Sequence, residues 1–292
     1  MKILFFGSRG WLGGIFKEML LSEEKQKIEI IETNVRADNS KEVEALIKQH
    51  LPTHIISMIG RTHGGNINSI DYLEQEGKLK ENINDNLYAP CVLGLLARKY
   101  DIHYTYIGTG CIFNNDTNMS DCYKYKEDDE PDYFGSSYSI VKGFTDNLMK
   151  LIDNHNVLNL RIRMPIVSYH NSRNFITKII NYPKITSIPN SMTVIKSLFP
   201  VVIDMMTKKT TGTFNLVNPG VISHNEILEL YKEHIDPNLT WTNITIEEQN
   251  SFLKSKRSNN HLDKTKLLEL YPEIPDIKTA VYDCIMEMKN KV

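Results

Sequence analysis

Tyr138 and Lys142 stand four residues apart at the start of an apolar run, a spacing that puts both side chains on one helical face. An ammonium beside a phenol favours the phenolate, so such a tyrosine moves toward the range where it can give or take a proton at a sugar oxygen. The same spacing also occurs on many helices as a solvated pair. Two other stretches raise its weight here. A glycine-rich loop opens near Gly7, and Gly108-Thr109-Gly110-Cys111 follows a strand-like run well before the tyrosine.

Elements must hold those groups in place. Lys2 to Phe6 is a short apolar run that reads as a buried strand of a parallel sheet. It leads into Gly7-Ser8-Arg9-Gly10-Trp11-Leu12-Gly13 and then into a helix, Ile15 to Leu21. A lone glycine loop is also simply a tight βα turn. Between a strand and a helix it lets backbone N–H groups approach a pyrophosphate, so Gly7, Arg9, Gly10, Trp11, Leu12 and Gly13 are candidate dinucleotide contacts.

A second strand, Lys27 to Glu32, ends where an adenine ribose would lie. Glu32 suits a ribose 2′-OH and hence NAD, whereas Arg36 and Arg9 suit a 2′-phosphate. Two guanidiniums against one carboxylate favour NADPH/NADP+. Ser40 to His50 reads as an amphipathic helix with Val43, Leu46 and Ile47 on its inner face. The strand His54 to Ile59 ends at Gly60-Arg61-Thr62-His63, which makes Gly60 a cofactor candidate and Thr62 and His63 substrate candidates. Asn82 to Tyr100 reads as one long helix with Asn86, a further cofactor candidate, near its start; His103 to Ile107 is the next strand.

The 292 residues leave one or two domains open; 41% are apolar and 24% charged, ordinary globular values. A formal net charge of −2 makes no case for nucleic acid or an acidic membrane surface. Four cysteines, Cys91, Cys111, Cys122 and Cys284, lack metal-site spacing and read as reduced thiols, so a cytoplasmic location is expected. Met1 to Gly7 is too short an apolar run for a signal peptide, and no segment is suited to span a bilayer. The acidic loop Asp121 to Pro131, with Glu127, Asp128, Asp129 and Glu130, reads as a solvated lip rather than a metal site.

The glycine loop, Thr109, Tyr138 and Lys142 together resemble an extended short-chain dehydrogenase. That resemblance implies an α/β fold: a Rossmann-type doubly wound parallel sheet with a smaller C-terminal substrate-binding domain. It places Thr109 against the substrate oxygen, Tyr138 as its acid and Lys142 as the support, with Tyr138 and Lys142 also touching the cofactor. A closer resemblance rests on Gly108-Thr109-Gly110-Cys111-Ile112-Phe113, Arg161-Ile162-Arg163-Met164-Pro165-Ile166, Arg173-Asn174-Phe175-Ile176-Thr177-Lys178, Pro189-Asn190-Ser191-Met192-Thr193, Asn218 to Glu226 and Arg257-Ser258-Asn259-Asn260. In this order the chain is similar to the bifunctional nucleotide-4-keto-6-deoxyglucose 3,5-epimerase/4-reductases that make nucleotide-linked L-rhamnose, usually UDP- rather than dTDP-linked.

The implied chemistry follows from a C4 ketone, which acidifies the protons at C3 and C5. Inverting both centres needs a base on one face and a proton source on the other. In the similar GDP-fucose synthases a cysteine and a histidine serve; here Cys111 matches the cysteine and Lys178 takes the partner position. The resemblance also sets Asn174, Asn190 and Arg257 against the nucleotide and its diphosphate. It implies an NADP-binding domain over 1–165, joined by 194–217, and a nucleotide-sugar domain mainly over 166–292. By analogy of fold, a homodimer forms through the helix preceding and the helix containing Lys142.

Three other readings stay open. A 4,6-dehydratase carries acidic residues just after the threonine, where this chain has Gly110 and Cys111. A 4-reductase without epimerase activity would not need Cys111 and Lys178. A non-catalytic NADP-binding regulatory subunit would not need Thr109, Tyr138 and Lys142 together.

Overall fold

A computed structural model of the chain describes residues 1–23, 27–115, 123–152 and 156–290. The apolar runs of the first part become β1 (Lys2–Phe6), β2 (Glu29–Glu32), β3 (His54–Ser57) and β4 (His103–Thr109). With β5 (Val157–Ile162) and β6 (Gly212–Asn215) they form a six-stranded sheet of order β6-β5-β4-β3-β1-β2. β1 runs parallel to β2 and β3, and β3 parallel to β4. Every residue of β3, β4 and β5 is buried, as strands covered on both faces must be. This is the Rossmann-type doubly wound parallel sheet expected from the sequence.

The connections place helices α1 (Trp11–Leu21), α2 (Ser40–His50), α3 (Ala89–Lys99) and α4 (Ser137–Ile152). Val43 and Ile47 of α2, Leu93 and Leu96 of α3, and Met149 and Ile152 of α4 bury against Leu4, Phe6, Ile55, Tyr104 and Tyr106 of the sheet. Phe16 of α1 packs edge-on against Phe5 and Phe199 instead. The expected single helix over 82–100 is three pieces: Leu79–Ile83, a π-helical stretch Asn84–Tyr88, and α3. Pro90 supplies the reason. It has no N–H for the carbonyl four residues back, that of Asn86, and the Thr145 hydroxyl donates to that carbonyl instead, at 2.6 Å.

Two compact units result. The first comprises Met1–Thr109, Ser136–Arg161 and Phe199–Phe214; the second Gly110–Gly135, Ile162–Leu198 and Asn215–Val292. Relative to the boundary at 165 and the returning segment 194–217, the division falls at Arg161 and the returning segment is shorter. The stretch after Thr109 goes to the second unit because Ile112 and Phe113 bury there with Tyr125, Val217 and Leu262.

The second unit has no long strands among its described residues. Two-residue parallel pairs join Lys124–Tyr125 to His261–Leu262, Pro165–Ile166 to Thr193–Val194, and Lys184–Ile185 to Thr242–Asn243. Its core gathers Ile166, Ile176, Met192, Ile227, Val281 and Ile285. Ser223 and Glu226 close a capping box on the helix His224–His234.

Glu127 departs from the expected solvated lip: it is buried, and its carboxylate accepts the N–H of Asn215 at 3.1 Å. That backbone donor would otherwise be left unpaired inside the unit. Asp121 and Cys122 lie outside the described residues, as does Val292. Among the described residues no helix is long and apolar enough to cross a membrane.

Candidate active site

The strand order turns back between β1 and β3, and ligands of such sheets bind beyond the strand ends at that point. The two loops meet there. Gly7 sits at φ +87°, and a Cβ on it would stand 2.8 Å from the Met58 carbonyl carbon after β3. A Cβ on Gly13 would lie 2.0 Å from the Gly7 oxygen. Only glycine allows that turn, and Gly10 closes it by donating its N–H to Gly7 at 3.0 Å. α1 begins at once, with no side-chain cap and no acidic residue in its first turn. The buried Trp11 Nε1 has no hydrogen-bond partner among the described residues. An uncapped, glycine-walled helix N-terminus of this kind fits a dinucleotide pyrophosphate.

Glu32, the candidate ribose acceptor, is occupied: the Ser8 hydroxyl donates to it at 2.7 Å and Lys17 at 3.2 Å. These contacts hold its carboxyl below the usual carboxylate range. Arg36 forks onto Asp38 at 2.8 and 3.0 Å and reaches Asp85 at 3.1 Å. It lines an open cavity at the start of α2 with Asn34, Asp38, Ser40 and Lys41. Arg9 is exposed. Asn86 is fully buried; its amide accepts from the Arg61 N–H at 3.0 Å and donates to the Arg61 carbonyl at 2.9 Å. It thus fixes the loop carrying Gly60, Thr62 and His63, the last two half-buried and touching each other.

Thr109 ends β4, and Tyr138 and Lys142 lie on α4, whose first turn Ser136 caps by accepting the Ser139 N–H at 3.0 Å. All three are buried, at 7%, 8% and 3% exposure. The Lys142 ammonium donates to the Tyr106 hydroxyl and lies 4.5 Å from that ring's centroid. Tyr106 is pushed well up by burial, so it stays a neutral seat for the lysine. Nothing in the Tyr-x-x-x-Lys spacing pointed to Tyr106, since β4 also carries the hydroxyls of Tyr104, Thr105 and Thr109.

In the second unit Cys111 is a half-buried thiol outside any disulfide. β4 stops at Thr109 and residues 110–113 form a turn, so no strand alternation relates Cys111 to Thr109. Near it, Tyr133 is pushed up to about 12, first by burial, with Cys111 adding and Arg257 and Arg163 opposing. Lys178, half-buried on the helix Phe175–Ile179, is held below the ordinary lysine range by burial, then by the charges of Arg257 and Arg173. Such a lysine gives up its proton more readily than a solvated one.

Arg257 donates to the Ser255 carbonyl at 3.0 Å and to its hydroxyl. Asn174 and Asn190 are fully buried and bonded to the protein itself. Asn174 brackets Val167 and donates to the Tyr169 carbonyl at 2.9 Å. Asn190 accepts from Arg163 and the Asn260 N–H, both at 2.9 Å, and donates to Asn259. Both therefore shape the walls of this unit. Arg163 is the residue sequence reasoning passed over, although an arginine inside an apolar strand run is itself a signal.

No protein-family model matches the chain. It is 52% identical over 290 residues to protein L780 of Acanthamoeba polyphaga mimivirus, covering 99% of each. The crystal structure of the mimivirus L780 UDP-rhamnose synthase superposes with a TM-score of 0.94 over 99% of both chains. The chain is 38% identical over 293 residues to the Arabidopsis thaliana bifunctional dTDP-4-dehydrorhamnose 3,5-epimerase/dTDP-4-dehydrorhamnose reductase, covering 99% of itself and 94% of that enzyme. It also aligns, at 39% identity, with 43% of an Arabidopsis thaliana trifunctional UDP-glucose 4,6-dehydratase/UDP-4-keto-6-deoxy-D-glucose 3,5-epimerase/UDP-4-keto-L-rhamnose-reductase. With such identity from end to end, the chain belongs to the family of bifunctional nucleotide-4-keto-6-deoxyglucose 3,5-epimerase/4-reductases, within the extended short-chain dehydrogenases.

Proposed function

We propose that this protein makes UDP-L-rhamnose from UDP-4-keto-6-deoxy-D-glucose, by 3,5-epimerisation and then NADPH-dependent reduction of the C4 ketone. The observation that carries the reading is Lys178, a half-buried ammonium pressed by Arg257 and Arg173, in the same unit as the half-buried thiol of Cys111. Cys111 as thiolate removes the proton from C3 and from C5, the C4 carbonyl taking up the charge as an enolate. Lys178 returns a proton on the opposite face. The UDP form is favoured by the 52% identity to a UDP-rhamnose synthase.

For the reduction, bound NADPH supplies a hydride to C4. Tyr138 gives its proton to the C4 oxygen, Thr109 holds that oxygen, and Lys142, seated on Tyr106, restores charge balance around Tyr138. Gly7, Gly10 and Gly13 receive the pyrophosphate; Arg36 and Arg9 meet the 2′-phosphate; Asn86 orders the loop of Gly60. Thr62 and His63 in the first unit and Arg257 in the second are the candidate sugar-nucleotide contacts, and Asn174 and Asn190 are positioning residues within the second unit.

The chain acts as a homodimer through α3 and α4, on which Leu95, Phe144 and Leu151 are 56%, 59% and 75% exposed. The scattered thiols of Cys91, Cys111 and Cys284 suit a reducing, cytoplasmic compartment. The test is the product formed from UDP-4-keto-6-deoxyglucose and NADPH, read by NMR. An L-rhamno product supports the reading. A D-configured 6-deoxy sugar would leave only the reductase.

A further inference from the structure

Arg161 and Arg163 are both buried at the end of β5, and they are held in opposite ways. Arg161 forms a fork onto the Asp146 carboxylate at 2.9 and 2.5 Å. Arg163 has no carboxylate partner among the described residues. Its Nη1 donates to the Gly110 carbonyl at 3.2 Å and the Ser258 hydroxyl at 2.8 Å. Its Nη2 donates to Asn190 at 2.9 Å and the Ser258 carbonyl at 3.0 Å, and its buried Nε has no partner. All these acceptors are neutral. A cation taken out of water without an anion is strongly disfavoured, so the site calls for one.

Among the described residues, the ionisable groups that act on Arg163 are few. Tyr133, pushed up to about 12, stays neutral; His224, pushed down to about 4 by burial and then by Arg163 itself, stays neutral too. Arg257, which acts on Tyr133, is a cation. Cys111 remains. Geometry agrees, since the carbonyl that Nη1 binds belongs to the peptide bond joining Gly110 to Cys111. The arginine stem also lies on Gly110, where a Cβ would stand 3.0 Å from its Cγ and 3.1 Å from its Cδ.

We propose that Arg163 is the counter-ion of the Cys111 thiolate, a positioning residue that keeps Cys111 in its basic form for proton abstraction at C3 and C5. This rests on the epimerase reading above for its role, though not for its existence. Asn190 and Ser258 aim the guanidinium, which explains why a family-typical asparagine is buried and turned onto protein.

The test reads the thiolate without substrate. At neutral pH the ultraviolet thiolate absorbance is compared between the wild-type protein and Cys111→Ala, and alkylation of Cys111 by iodoacetamide is followed by peptide mass. The wild type should show a thiolate difference signal. Arg163→Met should lose it and alkylate about tenfold or more slowly, the change expected for one pH unit of thiolate titration. Arg163→Lys, which keeps the charge, should recover part of both.

Equal signal and alkylation in Arg163→Met would overturn the proposal. Should Arg163→Met fail to fold, the wild type alone decides, because absence of a thiolate difference between it and Cys111→Ala sinks the idea. Deuterium exchange at C3 and C5 of the 4-keto sugar nucleotide separates the two claims. A thiolate that Arg163 supports but that exchanges nothing leaves the counter-ion standing and removes the epimerase.

Discussion

The two units treat buried charge differently. In the first, Arg161 meets Asp146, Arg61 meets Asp85 at 3.0 Å, and Lys142 meets the Tyr106 hydroxyl. In the second, Arg163 is left with neutral acceptors, and Arg257 and Arg173 press on Lys178. A fully partnered set holds side chains in fixed positions, which suits a proton passed once to a defined oxygen. An unbalanced set stores electrostatic free energy that favours an anion and loosens a proton. Hydride acceptance at C4 asks for the first kind of site, and carbanion formation at C3 and C5 for the second.

Separating the two reactions is the strongest way to break this comparison. Tyr138→Phe should lower NADPH oxidation by about 10²–10⁴-fold, the usual worth of a placed proton donor, while solvent deuterium still enters C3 and C5. Cys111→Ala should do the reverse and lose the exchange. NMR in D₂O with each purified variant and bound cofactor reads both. If Tyr138→Phe lost exchange as well, the two units would not divide the chemistry.

A stability measurement sharpens the contrast between the arginines. Asp146→Ala strands Arg161 in the interior and should cost about 3–5 kcal/mol in urea unfolding. Replacing both partners, Asp146→Leu with Arg161→Met, should recover most of that loss, since a purely structural pair can be exchanged for apolar packing. Failure to recover would mean that the pair does more than hold α4 to β5, or that the Asn159 amide, which donates to Asp146 at 2.9 Å, carries part of the loss.

Cofactor selection comes next in size. Arg36→Ala removes a charged hydrogen bond to a 2′-phosphate, about 1.5–3 kcal/mol, and should weaken NADPH far more than NADH. The upper end is not expected, because Asp38 and Asp85 already hold the guanidinium. Equal weakening of both nucleotides, titrated at one ionic strength, would remove Arg36 from the phosphate site.

The smallest effect concerns Lys178. Lys178→Ala should slow exchange roughly tenfold, less than the full worth of a general acid, because water can deliver a proton in its place. The donor works protonated, and burial with Arg257 and Arg173 lowers its pKa. Wild-type exchange should therefore decline, as pH rises, at a lower pH than an ordinary lysine near about 10.4 would give. Arg173→Ala should move that decline upward. An unmoved high-pH limb would show that Lys178 is not the titrating group.

Much of the first unit was legible because its signals are local. Gly7 must turn through positive φ, and Gly13 must touch Gly7, so the spacing of the glycines states the loop directly. The amphipathic period of Ser40–His50 likewise marks α2, and Pro90 alone accounts for the π-helical stretch that the reading of one long helix missed. The second unit was legible through its resemblance to a family rather than through periodicity, since its strands are two residues long and carry no pattern.

By itself the sequence determined which residues could act: a tyrosine and lysine on one helical face, a threonine at a strand end, a cysteine and a lysine suited to proton transfer. Helical period alone places the tyrosine and the lysine of the first unit on one face, whereas the cysteine and lysine of the second unit came from the resemblance to a family. Only the tertiary structure decided which charges are balanced. Lys142 finds Tyr106 across 36 positions, Glu127 finds Asn215 across 88, and Arg163 is held by Ser258 across 95. Burial and counter-ions depend on what the folded chain brings together, and electrostatic free energy depends on both far more than on neighbours in sequence.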